Sequence, residues 1–214
     1  MNIEERQEID LPRRLSGYLS LDFVNTIDPR HGEHAHEYLT SYAALVSWSK
    51  YVDLLPVEHA DQLQRASEQR PAIANAAFHC ALGLREALYA IFSTSTNAQR
   101  PGIEDMNILN AVLREGMGRA SVHITEQGFA WTWDTESALD SLLWPIARSA
   151  AELLSSDEVQ QVRECPGDDG CGWLFIDTSR NHRRRWCSMD GCGNRAKARR
   201  HYERKNTVKT SFDS

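Results

Sequence analysis

Hydrophobic residues recur at helical spacing through most of the chain. Between Thr40 and Leu55, apolar side chains step by three and four positions, which predicts an amphipathic helix capped by Thr40 or Ser41 and ended by Pro56. The same spacing predicts a polar helix at 57–70, the most apolar helix at 72–92 and another at 103–116. The helix at 72–92 carries an apolar stripe of Ala77, Ala81, Leu84, Leu88 and Ile91. Cys80 falls on the same side, and we expect it to be a core residue.

The period changes near residue 120. Polar and apolar residues alternate over 120–134 around a Glu-Gln-Gly turn, which is typical of a β-hairpin. Helical spacing returns at 135–154, where Pro145 is expected to kink the helix. Residues 18–26 fit a short helix or a strand, and we favour the helix. Pro and Gly within 28–34 predict a loop.

The length of 214 residues suits one domain with a small appendage. We expect a flexible lead-in at 1–16, a mainly α (α+β) helical domain with a small β-hairpin at 17–155, a small cysteine-rich unit at 160–206 and a disordered tail at 207–214. Apolar runs fall short of the roughly 20 residues that span a bilayer, so we expect a cytoplasmic protein with no membrane partner.

Charge is distributed unevenly. The net charge is -6, but the segment from Arg180 to Lys205 holds ten Lys or Arg and two acidic residues, a net of +8 that leaves -14 on the rest. This polarity indicates a local anion-binding surface on an acidic body.

Four of the five cysteines lie within this same C-terminal region, at Cys165, Cys171, Cys187 and Cys192. The gaps inside each pair are rich in Gly, Pro and Asp, which form tight turns that can aim two sulfurs at one point. In a reducing cytosol such a cluster favours metal over disulfides. We expect one structural Zn²⁺ per chain, held by these four thiolates; an iron–sulfur cluster is the alternative.

Around the metal we expect a small unit made of a knuckle, a β-hairpin and a helix. Residues 173–178 would form one strand, 179–182 the turn and 183–187 the return strand. Asn194 is expected to cap the helix that follows, with Ala198 and Tyr202 packed inward. This unit buries few apolar residues, so metal binding should contribute most of its folding free energy.

Arginine outnumbers lysine eight to two in the basic segment, and guanidinium groups bind phosphate in a bidentate manner. We expect a nucleic-acid surface formed by Arg180, Asn181, Arg183, Arg184, Arg185, Asn194, Arg195, Lys197, Arg199, Arg200 and Arg204. Asn181, Asn194 and Arg195 are the candidates for base contacts. The alternative is a solvated helix, or a basic face docked on the acidic body.

The segment "CGWLFIDTSRNHRRRWCSMDGCGNRAKARRHYER" resembles the CGNR zinc-finger family, whose name matches Cys192-Gly193-Asn194-Arg195. The N-terminal "LSLDFVNTIDPR" and the helical region after it resemble the ABATE domain that usually precedes this finger. The resemblance implies a treble-clef-like finger with four cysteine ligands, the same four as above, in a bacterial protein that is a predicted stress-related transcriptional regulator.

These observations favour a DNA-binding transcriptional regulator and no enzyme. RNA binding is one alternative, since phosphate contacts carry no sequence information. The other is a metal-dependent enzyme centred on the loop from His31 to Glu37, although its histidines do not match the H-E-x-x-H order.

The N-terminal domain is expected to sense a small-molecule effector, to form a homodimer, or both. A polar cluster early in this domain, Asp22, Asn25, Asp28 and Arg30, could line the effector pocket. Its simpler role is to fix the following loop by hydrogen bonds.

Overall fold

The computed structural model describes residues 11–32, 34–96, 99–134, 138–167 and 170–210, with side chains to residue 205. Its α-helices are α1 (Leu19–Val24), α2 (Tyr42–Tyr51), α3 (Val57–Gln69), α4 (Pro71–Thr96), α5 (Ile103–Gly118), α6 (Leu143–Leu154) and α7 (Asn194–Thr210). The strands are β1 (Ile27–Asp28), β2 (His36–Glu37), β3 (Ala120–Thr125), β4 (Gly128–Trp133), β5 (Val162–Glu164) and β6 (Leu174–Ile176). They pair as three antiparallel ribbons, β1–β2, β3–β4 and β5–β6. Among the described helices, none has both the length and the apolarity that crossing a membrane requires.

Helix α4 is the centre of the helical domain. The predicted stripe from Ala77 to Ile91 is buried, and α4 packs on α1, α2, α3 and α5. Cys80 lies at the edge of that stripe and is exposed, so the prediction of a core thiol is wrong. Cys80 directly precedes Ala81 of the stripe. Neighbouring residues of a helix with 3.6 residues per turn point about a quarter turn apart, so the Cys80 side chain is directed away from the core.

The helix predicted at 135–154 begins only at Leu143. Pro145 therefore lies in the first turn, where the backbone N–H that proline lacks has no partner within the helix. The predicted kink is wrong for that reason. Residues 135–137 of the predicted helix lie outside the described residues.

Described structure extends into both of the segments that the pattern predicted to be flexible or disordered. Within the expected lead-in, Leu15 packs against the cysteine cluster and the buried Ser16 donates through its hydroxyl to Asp22, with a distance of 2.7 Å. Residues 1–10 lie outside the described residues. Helix α7 continues to Thr210, and residues 211–214 of the expected tail lie outside the described residues.

The hairpin predicted at 120–134 is confirmed as β3–β4. Val122 faces Trp131 and Ile124 faces Phe129 across the ribbon, so these four side chains share one face. All four are exposed.

The β5–β6 ribbon carries a different core on each face. Leu174 and Ile176 pack with Val162 into the helical core, whereas Trp173 and Phe175 pack around the four cysteines. The period of two along a strand makes this division possible.

The strand partner predicted for this segment is wrong. Strand β6 pairs with β5, upstream of the first cysteine, and residues 183–187 form no strand. The turn at 179–182 is present, with a hydrogen bond of 3.0 Å from His182 N to Ser179 O. Past that turn, the carboxylate of Asp177 accepts from the backbone N of Arg184 at 3.0 Å, which holds the chain in a loop.

Asn25 attaches the helical domain to the edge of this ribbon. Its Nδ2 donates to Leu174 O at 2.8 Å, and its Oδ1 accepts from Leu174 N at 2.9 Å. The amide therefore substitutes for a third strand at a fully buried position.

Asn25→Ala should lower the free energy of unfolding by about 2–4 kcal/mol, because it leaves a buried N–H and a buried C=O of Leu174 without partners. Urea unfolding followed by circular dichroism measures the change. Asn107→Ala, at an exposed position on α5, is the matched control and should change stability by less than about 0.5 kcal/mol. Equal stability of the two variants would contradict the assigned role.

Candidate metal centre and basic surface

The four C-terminal cysteines converge on one point. Cys165 follows β5 and Cys171 precedes β6. Cys187 lies just before a turn of π-helix at Met189–Gly193, and Cys192 lies within that turn. All four are buried, and their sulfur atoms lie within 4.8 Å of one another. The Sγ–Sγ distances are 3.7 Å for Cys171–Cys187 and for Cys187–Cys192. Zn–S bonds of about 2.3 Å in a tetrahedron place sulfurs about 3.8 Å apart, so the donor set fits one zinc ion.

This geometry leaves no room between the sulfurs for a cluster of two or four irons. Four sulfur ligands also complete the coordination of zinc, so the ion is structural and holds no open position for water.

Cys165, Cys171 and Cys187 share hydrogen bonds that shift their pKa values in opposite directions. Hydrogen bonds from Cys171 and Cys187 hold the pKa of Cys165 well below its ordinary value. The hydrogen bond to Cys165 raises the pKa of Cys171 and that of Cys187. Zinc binding therefore displaces protons from these two thiols, since only thiolates bind the metal.

The first knuckle, at 165–171, is covered by a loop of the helical domain. Arg30 N donates to Cys171 O and His31 N donates to Gly170 O, both at 2.8 Å. The indole Nε1 of Trp173 donates to Ile27 O, also at 2.8 Å. The histidine-containing loop thus packs directly on the metal centre, which its sequence did not indicate.

Two glycines make this close approach possible. Gly170 and Gly172 have φ values of +75° and +66°. A Cβ on Gly170 would lie 2.9 Å from the carbonyl carbon of His31, and one on Gly172 would lie 2.7 Å from the His31 ring. The two glycines on either side of Cys171 were the sequence signal for this close approach, because glycine adopts positive φ without strain and has no Cβ.

The second knuckle, at 187–192, is capped by a different residue from the one predicted. The Ser188 hydroxyl accepts from Gly191 N at 3.3 Å and caps the π-helical turn. Asn194 already has helical angles, with φ -72° and ψ -38°, so its predicted role as the N-cap is wrong.

The inward face predicted for α7 is also wrong. The buried residue is Ala196, whereas Ala198 is exposed and Tyr202 is 66% exposed. The helix meets the centre at its first turn, so only a residue close to Cys192 can reach that core.

Two of the arginines expected to bind nucleic acid face the metal centre. Arg195 donates to the Cys192 sulfur at 3.1 Å. Arg184 lies 4.6 Å above the Phe175 ring, donates to Trp186 O at 2.9 Å and also donates to Cys187 O. Both guanidinium groups offset the negative charge of the thiolates.

The remaining members of the predicted surface lie outward. Asn194, Lys197, Arg199, Arg200 and Arg204 are exposed on α7, and Arg180, Asn181, Arg183 and Arg185 are exposed in the loop before it. Arg185, Arg199 and Arg200 line a groove of about 230 Å³ with Trp186 and Glu203. Arg199 pairs with Glu203 at 3.2 Å. Within the described part of the chain, no ion pair joins Arg180, Arg183, Arg185 or Lys197 to a carboxylate.

The polar residues predicted to line an effector pocket lie in different surroundings, with Asp22 lining one cleft and Asp28 another. Asp22 accepts from the backbone N of Leu15 and of Ser16, at 3.2 and 3.1 Å. The side chain of Arg30 is 6% exposed, pairs with Glu86 and lies 3.8 Å above the Tyr89 ring. These contacts fix the following loop.

The fourth member of the cluster, Asp28, lines a cleft of about 320 Å³ that also includes Cys171 and Arg195. Burial raises the pKa of Asp28, and the charge of Arg195 partly opposes this shift.

His31 and Glu37 of the histidine loop are held by α4 and by strand β5. His31 Nε2 lies 2.9 Å from Glu164 Oε1 and 2.6 Å from the Tyr89 hydroxyl. Glu37 binds the buried Arg85 through two contacts, at 2.6 and 2.7 Å. Glu33 lies outside the described residues. Among those that are described, the four cysteines are the only group of three or more potential ligands that converge.

A helical domain that ends in a four-cysteine zinc finger with an arginine-rich exterior is the architecture that these features define. The model of the ABATE family, described as "Putative stress-induced transcription regulator", matches residues 17–157, and the CGNR zinc finger matches residues 161–205. The chain therefore belongs to the ABATE family and carries a CGNR zinc finger, as the resemblance predicted. A comparison with curated proteins found no match.

Removing zinc should release the C-terminal half of the finger and leave its ribbon in place. After EDTA treatment, or in Cys187→Ser, we expect amides of 187–205 to exchange at least about tenfold faster, because the second knuckle has no other core. Residues 162–164 and 174–176 should stay protected, since Val162, Leu174 and Ile176 pack in the helical core. Hydrogen-exchange mass spectrometry measures both.

Metal analysis accompanies this experiment and should give one zinc per chain. Cys80→Ser, which changes an exposed thiol, is the control and should keep its zinc. Unchanged exchange in 187–205 after the metal has left would contradict a structural role for zinc.

Proposed function

We propose that this transcription regulator binds duplex DNA through the outer surface of its zinc finger. The observation that carries the proposal is a set of exposed cations without carboxylate partners among the described residues, Arg180, Arg183, Arg185 and Lys197, next to a rigid four-cysteine centre. Exposed guanidinium groups repel one another, and phosphate groups relieve that repulsion.

The basic and the amide side chains of the surface suit different contacts with DNA. Helix α7 presents Lys197, Arg199 and Arg200 for phosphate binding. Asn181 and Asn194 are exposed and able to reach base edges, where an amide reads adenine by two hydrogen bonds. Arg195 is held by the Cys192 sulfur, which makes it a weaker candidate for base contact than the sequence alone suggested.

DNA binding should weaken steeply with salt. Each phosphate contact contributes about 0.9 to the slope of log affinity against log salt concentration. The triple variant Arg183→Ala, Arg185→Ala and Lys197→Ala should therefore lower the slope by about 2–3. Fluorescence anisotropy with genomic duplex fragments at several salt concentrations measures the slope.

Arg65→Ala is the control, because it removes an exposed positive charge from α3 and should leave the slope unchanged. Absence of binding at low salt would refute the proposal. Competition with single-stranded and hairpin RNA tests the alternative, and stronger binding of RNA than of DNA would reassign the surface.

We further propose that the helical domain forms a homodimer and senses an effector. The dimer is supported by the exposed apolar face of β3–β4, which consists of Val122, Ile124, Phe129 and Trp131. An isolated two-stranded ribbon is marginally stable in water, and an apolar face of this kind is typical of an interface. A two-fold related copy covers the same face on both chains and places two fingers on one duplex.

Ile124→Glu should dissociate the dimer, because a carboxylate at the centre of an apolar interface loses its hydration without gaining a partner. Light scattering coupled to gel filtration measures the mass. Ile103→Glu on α5 is the matched control: Ile103 is 77% exposed and Ile124 83% exposed, but Ile103 lies outside the ribbon. A wild-type protein that is monomeric at all concentrations would contradict the interface.

A further inference from the structure

Helix α7 carries a single acidic residue within its basic surface. Glu203 is the only carboxylate in the sequence of this helix, and it lines the groove of about 230 Å³ together with Arg199 and Arg200. A carboxylate at this position repels the phosphate groups that the surface is proposed to bind. Its presence is therefore not explained by overall affinity for DNA.

The stability of the helix does not explain Glu203 either. Its Oε1 accepts from Nε of Arg199 at 3.2 Å, as an i,i+4 pair. The two side chains are about 60% exposed, and exposed ion pairs contribute little to stability. The acidic residue also follows the basic one, which is the less favourable order for a pair on a helix. The effect of the pair on the arginine itself is the remaining explanation.

The contact with Glu203 holds Arg199 without occupying its terminal nitrogens. Only Nε donates to the carboxylate, and Nη1 and Nη2 have no partner among the described residues. Arg200 is held in the same manner, because its Nε donates to Ala196 O at 3.2 Å. Two neighbouring guanidinium groups thus keep both terminal nitrogens available at exposed positions.

This arrangement distinguishes the two arginines from other cations of the surface. The side chains of Arg180, Arg183 and Lys197 make no hydrogen bond or ion pair within the part of the chain that the structure describes. A side chain without a fixed contact adapts to any phosphate, and phosphate carries no sequence information. A guanidinium group held at Nε loses less conformational entropy on binding, and its terminal nitrogens match the O6 and N7 acceptors of guanine.

We propose that Arg199 and Arg200 determine sequence specificity by binding O6 and N7 of guanines in the major groove. On unrelated DNA the same groups contact phosphate. Glu203 is a positioning residue for Arg199: it lowers affinity for all DNA and increases the preference for guanine. The inference rests on the proposed binding of duplex DNA and names the base that this surface recognises.

The bases are identified by selection from duplexes with a randomised centre, using the zinc-loaded full chain. We expect guanine to be enriched at the contacted positions. The selected duplex is then prepared with 7-deazaguanine at each guanine in turn, which removes the N7 acceptor and keeps the pair with cytosine. At a contacted position this replacement should weaken binding about fivefold, because it removes one hydrogen bond. Fluorescence anisotropy measures the affinities.

The arginine variants assign each contact. Arg199→Ala and Arg200→Ala should each bind the guanine and 7-deazaguanine duplexes equally at one position, because the donor to N7 is gone. Arg204→Ala is the matched control, since it removes an exposed charge from the same helix at a position without a fixed contact. It should weaken binding of both duplexes by the same factor.

Two substitutions of Glu203 separate its position from its charge. Glu203→Ala should lower the guanine preference at least about twofold, the effect of ordering one long side chain, and should raise the affinity for unrelated duplexes. Glu203→Gln keeps an oxygen that accepts from Nε, so it should raise that affinity and retain the preference. Glu152→Ala removes the carboxylate of a similar pair on α6, with Arg148 Nε at 2.8 Å, and should change neither.

Tolerance of 7-deazaguanine at every position, or a guanine preference that Arg199→Ala and Arg200→Ala leave unchanged, would overturn the inference while the proposed binding of DNA stands. Equal loss of preference in Glu203→Ala and Glu203→Gln would contradict the positioning role. Zinc content and circular dichroism show that each variant folds. Absence of duplex binding at low salt would refute the proposed function and this inference together.

Discussion

Strand β6 is the element on which the rest of the structure depends, because it belongs to two cores at once. Leu174 and Ile176 contribute to the helical core, while Phe175 faces the four sulfurs. A metal centre attached in this way cannot rotate independently of the helical domain. The finger therefore differs from a small domain on a flexible linker, and part of its folding free energy comes from apolar burial in the neighbouring domain as well as from zinc.

The arginines divide into two groups with different physical roles. Four thiolates outweigh the charge of one zinc ion, so the centre is anionic, and Arg184 and Arg195 lie against it. The arginines farther from the sulfurs make other contacts: Arg185 lies 5.3 Å above the Trp186 ring, Arg200 donates to Ala196 O at 3.2 Å and Arg199 pairs with Glu203. Part of the charge excess of the segment thus lies against the metal site, and the rest forms the surface proposed to bind phosphate.

The helical domain joins its proposed regulatory features through a few shared elements. The base of β3–β4 lines a cavity of about 250 Å³ together with Leu55 and Pro145, its far half forms the exposed apolar face, and α6 packs on α1. The loop after α1 then covers the first knuckle through backbone hydrogen bonds to Cys171 and Gly170. The proposed dimer face and the metal centre consequently belong to neighbouring parts of one packed unit.

The sequence alone determined what depends on local spacing. The apolar stripe of α4, the β3–β4 hairpin and the convergence of four cysteines follow from periods and turns within short segments. Tertiary structure alone decided the partner of β6, the inward position of Arg184 and the cavity at Trp133. The pairing of Asn25 with Leu174 joins residues 149 positions apart. Such contacts depend on which buried donors and acceptors are left unpaired after packing, and this is a property of the assembled fold rather than of any local pattern.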